Sequence, residues 1–129
     1  MGIQILIVDD VPSAARIVRK LLHNGGFTQV FDVPSGAAAL EALKLEAIDL
    51  VIIDYNLRDM SGSELISLLR QDVTYEELPC LVISSDLSAA ELAAVTAFGN
   101  VAYLAKPFTS ALLLGKIEGL MGCSIDELK

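Results

Sequence analysis

Four side chains stand where short apolar runs stop abruptly at a charge. Ile-Leu-Ile-Val runs into Asp9 and Asp10, Leu-Val-Ile-Ile into Asp54, and Val-Ala-Tyr-Leu-Ala into Lys106-Pro107. Three carboxylates brought together without a counterion repel one another, so the group asks for a cation. Their oxygens suit a hard one: magnesium keeps waters, takes one or two protein carboxylates and accepts phosphate oxygens. A lysine opposite them suits a phosphoryl group as a point charge. Ser84 ends a further apolar run over residues 80–84, which would bring its hydroxyl to the same place. Metal, carboxylates, hydroxyl and ammonium together describe a phosphate-handling site, where loose phosphoryl-transfer transition states are stabilised mainly by position and charge. A single aspartate after a strand is usually a turn residue or a helix cap. The weight lies in the coincidence at three strand ends.

The elements that must position these groups follow an alternating pattern. Residues 3–8, 28–32, 49–53, 80–84 and 101–105 read as strands, and the near-continuous apolar ones belong to a sheet buried on both faces. Helices are expected between and after them, over 13–24, 36–45, 61–70, 89–98 and 109–121. Ala14, Ile17, Val18, Leu21 and Leu22 recur at helical spacing before Gly25-Gly26, and Ser35 and Ser88 are candidate N-caps. Strands alternating with helices imply βαβ units and a parallel sheet. Right-handed crossovers place the first, third and fourth strands centrally. All strand ends then meet at one edge, where open α/β folds put their ligands. The stretch 71–78, carrying Asp72, Glu76 and Glu77, reads as a solvated loop.

At 129 residues, 53% hydrophobic and 20% charged, the chain suits one globular domain with a single core. A net charge of −8 disfavours non-specific nucleic-acid binding, which needs basic surface. Cys80 and Cys123 are too few and too far apart for a disulfide framework or a zinc site. Cys80 is expected to pack as a small hydrophobe and Cys123 to be a free thiol. His23, the single histidine, falls near the end of the first helix, where a cation favours the dipole, and reads as a surface or capping residue. The opening Met-Gly-Ile-Gln-Ile lacks a signal peptide's positive region, and no apolar run reaches the roughly 18 residues of a membrane span. A reduced, cytoplasmic setting is the expectation.

Asp9-Asp10, Asp54, Ser84 and Lys106-Pro107-Phe108, in that order, with Arg16-Ile-Val-Arg-Lys-Leu-Leu in the first helix, form a set no single member of which is specific. As a set it resembles the response-regulator receiver domain of bacterial two-component signalling, CheY-like, over residues 3–121. The resemblance implies a flavodoxin-like (βα)5 doubly wound fold with a parallel sheet in the order 2-1-3-4-5, a receiver over 1–122 and a C-terminal tail over 123–129. It implies that Asp54 is the phosphoacceptor, fed by a phosphohistidine of a sensor histidine kinase or phosphotransfer protein. Asp9, Asp10, Asp54 and the backbone carbonyl of Asn56 would hold Mg²⁺. Ser84 and Lys106 would contact the aspartyl phosphate, the peptide before Pro107 would be cis, and Tyr103 would be the switch aromatic. The three aspartates and Lys106 sum to −2, which Mg²⁺ brings to about zero; phosphorylation then adds roughly −1.5 to −2. That charge would draw Ser84 inward and free space for Tyr103, a two-state element biased by a local electrostatic event.

This chain departs from the family after the phosphoacceptor. Many receivers carry Met-Pro there; here the loop reads Leu57-Arg58-Asp59-Met60, with Gly62 retained. A different loop stiffness is expected, with added charge beside the site. Asn56 and Asp86 occupy the two positions that tune dephosphorylation in the family, and could orient water for fast self-dephosphorylation. No effector module follows, so output is expected through protein contact on the helix 4, strand 5, helix 5 face, with a homodimer as one form. Leu112, Leu113 and Leu114 cover more than one helical stripe, so one of them could face a partner. Ser124-Ile-Asp-Glu127 is a capping-box pattern for a helix with few residues left: a frayed turn, or the start of an extension. Two other functions are open: a receiver-like scaffold that works without phosphorylation, and a Mg²⁺-dependent phosphatase with an aspartate nucleophile. The second normally needs an acid two residues after its nucleophile, where this chain has Asn56.

Overall fold

The computed structural model describes residues 2–129. Its elements run β1 (Gln4–Val8), α1 (Pro12–Asn24), β2 (Gln29–Val33), α2 (Gly36–Leu45), β3 (Leu50–Asp54), α3 (Gly62–Arg70), β4 (Cys80–Ser84), α4 (Ala89–Thr96), β5 (Val101–Ala105), α5 (Ser110–Met121) and α6 (Ile125–Leu128). The strands form one parallel sheet in the order β2-β1-β3-β4-β5. This is the doubly wound, flavodoxin-like order expected, with every strand ending at the same edge.

The sheet is covered on both faces, and successive side chains of a strand point to opposite sides. Ile5 and Ile7 of β1 pack with Leu22, Phe27, Leu113 and Ile117 under α1 and α5. Leu6 and Val8 point the other way, into a second core with Ala39, Leu65, Ile66, Leu69 and Val95 under α2, α3 and α4. Burying each such large side chain stabilises the fold by about 1.5–3 kcal/mol. β4 is buried along its whole length, which explains its unbroken apolar sequence.

Side-chain caps start the helices where the sequence placed them. Ser35 Oγ accepts the Ala38 N–H at the start of α2, and Ser61–Glu64 and Ser88–Glu91 form full capping boxes for α3 and α4. α1 has no side-chain cap at Val11; Pro12 opens it, where a missing N–H is harmless. α4 stops at Thr96 rather than running to 98, because the chain turns through left-handed Gly99 and Asn100 to enter β5.

Two segments are held more firmly than the sequence implies. The stretch 71–78 is the exposed loop expected, with Asp72, Glu76 and Glu77 in solvent, but it is tied down at two points. Tyr75 and Leu78 pack against the second core, and the Tyr75 hydroxyl donates to the Leu43 carbonyl at 3.0 Å. Arg70 donates to the carbonyls of Tyr75, Leu78 and Gly99 at 2.9, 2.8 and 3.0 Å. The C-terminal turn is not frayed. Leu128 is 5% exposed within the first core, and its carbonyl accepts the Ile3 N–H at 2.8 Å. Ile125 N–H donates to Glu118 Oε2, tying α6 back to α5.

Candidate metal centre

Asp9, Asp10 and Asp54 each offer a carboxylate oxygen, and these oxygens lie within 4.8 Å of one another. Asp54 is the last residue of β3, and the acidic pair directly follows β1, its neighbour in the sheet. Parallel pairing of β1 with β3 is what makes distant sequence positions converge here. Asp9 is buried, and its Oδ1 accepts the Val11 N–H at 2.9 Å. Burial pushes its pKa up; that backbone hydrogen bond opposes the shift, and the charge of Asp54 adds to it. Asp10 pairs with Arg58, Oδ2 to Nε, at 3.4 Å. Asp54 Oδ2 faces Lys106 Nζ at 3.7 Å, and its Oδ1 accepts the Asn56 N–H at 3.2 Å. An all-oxygen set with two partly exposed members and one buried one fits a hard divalent cation that keeps some of its waters.

The loop after Asp54 is closed by a bridge between Asn56 and Ser61. Gly62 sits so close to Tyr55 that a Cβ there would lie 3.1 Å from the Tyr55 Cα. Its N–H donates to the Tyr55 carbonyl at 2.7 Å, which accounts for the glycine at the start of α3. Across the site, Ser84 is 1% exposed and exchanges two contacts with Asp86: its hydroxyl donates to Oδ1 at 3.2 Å and accepts the Asp86 N–H at 3.3 Å. The half-buried Tyr103 donates its hydroxyl to the Ser84 carbonyl at 3.1 Å. The Lys106–Pro107 peptide is cis. Beside Asp54 and Lys106 opens a mostly apolar cleft of about 450 Å³, lined by Ala14, Ile17, Leu21 and Phe108.

This arrangement has close counterparts. The sequence model of the response regulator receiver domain matches residues 5–118. The chain belongs to the response regulator receiver family. Its relatives include the chemotaxis protein CheY-3 of Vibrio cholerae serotype O1, 34% identical over 117 residues, which are 91% of this chain and 90% of that protein. The chemotaxis protein CheY of Pseudomonas aeruginosa is 33% identical over 115 residues, 89% of this chain and 93% of that protein. Among solved structures, Vibrio cholerae CheY4 superimposes with a TM-score of 0.85 at 27% identity, covering 93% of this chain and 99% of that one. The receiver domain of a sensor histidine kinase from Pseudomonas aeruginosa PAO1, solved with a magnesium ion coordinated in its active-site cleft, shares the fold at 24% identity and a TM-score of 0.82, covering 95% of this chain and 99% of that one.

Within this receiver, the acidic trio and Lys106 converge as their strand-end positions implied. Ser84 and Tyr103 lie at the same edge and are joined through the Ser84 carbonyl. The charge that the loop adds beside the site takes two forms the sequence does not specify: Arg58 pairs with Asp10, and Asp59 caps α2 across the loop. The only sequence signal was the run of charge where a Met-Pro was expected. His23 is exposed and remote from the trio's loops, near the end of α1.

Proposed function

We propose that Asp54 accepts a phosphoryl group from a phosphohistidine on a sensor histidine kinase or phosphotransfer protein, and that the change is read out by protein contact. An Asp54 carboxylate oxygen forms the new bond to phosphorus. The bond from phosphorus to the imidazole nitrogen breaks, and the imidazole leaves as the neutral base after taking a proton. The observation that carries this reading is the convergence of three carboxylates on one edge with Lys106 facing Asp54. Asp9, Asp10, Asp54 and the backbone carbonyl of Asn56 would hold Mg²⁺, which when bound neutralises charge between the acceptor and the incoming phosphoryl oxygens. Lys106 neutralises a phosphoryl oxygen from the other side. The apolar cleft between α1 and the cis-proline turn offers a face on which a donor helix can seat its histidine beside Asp54.

Ser84 would leave Asp86 to donate to the new phosphoryl group. Its carbonyl would move with it, carrying the signal to the Tyr103 hydroxyl and so to the face made by α4, β5 and α5. That face suits partner contact: Ala89, Ala90, Ala93 and Ala94 are exposed and small, and Leu112, the outermost of the three leucines, is 55% exposed while Leu113 is buried. Freed Asp86 and the exposed Asn56 side chain then flank the aspartyl phosphate and would orient water for self-dephosphorylation. We take residues 1–122 as the receiver and 123–129 as a short tail packed onto it, working in the cytoplasm where such donors act.

Incubation with Mg²⁺ and acetyl phosphate, followed by intact-mass measurement, tests the reading. A phosphate adduct that is absent from Asp54→Asn is the expected result. No adduct with or without Mg²⁺ would move the function to a phosphorylation-independent scaffold. Steady turnover of phosphate esters would make it a phosphatase, against the carboxamide at Asn56.

A further inference from the structure

The acidic pocket already has two cations of the chain's own. Lys106 faces Asp54, and Arg58 faces Asp10. They are held differently. The Arg58 side chain is 87% exposed, so no packing fixes it. Its aim is set by the backbone of the loop that carries it. On one side Leu57 is buried at 9% exposure. On the other, the Asp59 carboxylate accepts the Gly36 N–H at 3.0 Å and the Ala37 N–H at 2.9 Å, both at the start of α2. These two hydrogen bonds hold the Asp59 pKa below its usual value. Met60 then lies against Gly36 so tightly that a Cβ there would meet its Sδ at 2.4 Å. Anchored on both sides, the loop presents the guanidinium over Asp10, the less buried half of the acidic pair.

We propose that Arg58 is a built-in competitor for the divalent cation: held over Asp10 by the Asp59 tether, it occupies one carboxylate and must be displaced when the metal binds, and so sets the metal affinity of the site. The inference rests on reading the acidic trio as a cation site. Lys106 does not duplicate the role, because it faces Asp54 and remains useful once a phosphoryl group arrives. Arg58 pairs with Asp10 and with no other carboxylate among the described residues, so in the metal-free site it acts as that carboxylate's occupant. Because the guanidinium lies in solvent, although Asp10 itself is only 14% exposed, the pair sets a modest and salt-sensitive threshold rather than a block.

Calorimetric titration of the metal-free protein with Mg²⁺, without any phosphodonor, tests this. Both side chains are on the surface, so the variants fold. Arg58→Ala should bind Mg²⁺ about two- to five-fold more tightly at low salt, the range set by releasing one ion pair whose cation is solvent-exposed. The gain should shrink at about 0.5 M salt. In an Asp59→Ala background, where the loop no longer aims the guanidinium, removing Arg58 should make little further difference. Unchanged affinity in Arg58→Ala, or the same gain with and without Asp59, overturns the proposal while leaving the cation site standing. No Mg²⁺ binding by the unaltered protein, with Asp10→Asn indistinguishable from it, sinks the cation site itself.

Discussion

Asp9 is the member of the acidic group that the fold holds out of water, at 8% exposure. Its raised pKa means that the folded chain favours the protonated form more than the unfolded chain does. The stabilising contribution is therefore fully present below the unfolded value and is lost as pH rises through the folded one. With no cation bound, the charged form of Asp9 works against stability, because burial disfavours it. Asp9→Asn retains an oxygen to accept the Val11 N–H and removes the buried charge. It should stabilise the metal-free protein by about 0.5–2 kcal/mol in urea unfolding, and should lose most of the stabilisation that added Mg²⁺ gives the unaltered chain. Asp59 has the opposite sign. Its depressed pKa makes its contribution present above the ordinary carboxylate value and lost as pH falls through the lowered one. Cys80, fully buried with a thiol pushed up to about 11, should resist alkylation at neutral pH until the protein is unfolded, while Cys123 reacts first; peptide mass mapping of the labelled protein distinguishes the two.

At the scale of elements, Arg70 does the most that no local rule foretells. From the end of α3 its guanidinium gathers carbonyls of the 71–78 segment and of the turn before β5. Arg70→Ala should cost about 2–3 kcal/mol by chemical denaturation, because several carbonyls lose a charged donor at once, and Arg70→Lys should recover little, lacking the planar fork. The strands, by contrast, were legible because four are short apolar runs, three of which stop at a charge, while the mixed β2 (Gln-Val-Phe-Asp-Val) was marked mainly by its place between two helices. Two match their expected bounds and the other three differ by a single residue at one or both ends, as with β3, which extends to include Asp54. The starts of α2 and α4 were legible because Ser35 and Ser88 carry cap chemistry within three residues of their partners, whereas Ser61, expected as the first residue of the third helix, is its cap. The convergence of Asp9, Asp10, Asp54 and Lys106 was legible through topology alone. Arg58 on Asp10 and Asp59 on α2 were not. They join residues whose separation encodes no period, and only the path of the loop brings them together. The packed C-terminal turn was missed for a similar reason: a capping box announces a helix but not what the helix will rest on.

For the whole molecule, the sheet divides the interior into two cores that touch little of each other, one closed by α1, α5 and α6 and the other by α2, α3 and α4. Leu128→Ala should destabilise the protein by about 2–4 kcal/mol in thermal or urea unfolding, the loss of a core residue rather than of a tail residue. A change no larger than that of a surface substitution would show α6 to be dispensable. The hydrogen bond from Ile3 to the Leu128 carbonyl has a practical side as well. It brings Gly2 and Lys129 into contact at the edge where the strands begin, the pole opposite Asp54. Gly2 itself cannot carry a label, because a Cβ there would lie 2.7 Å from the Lys129 carbonyl carbon, but a donor and an acceptor fluorophore fixed at exposed side chains on either side of this contact would sit within transfer range whenever the domain is folded. They would go dark to each other when it opens, and would do so from the pole opposite the acidic trio.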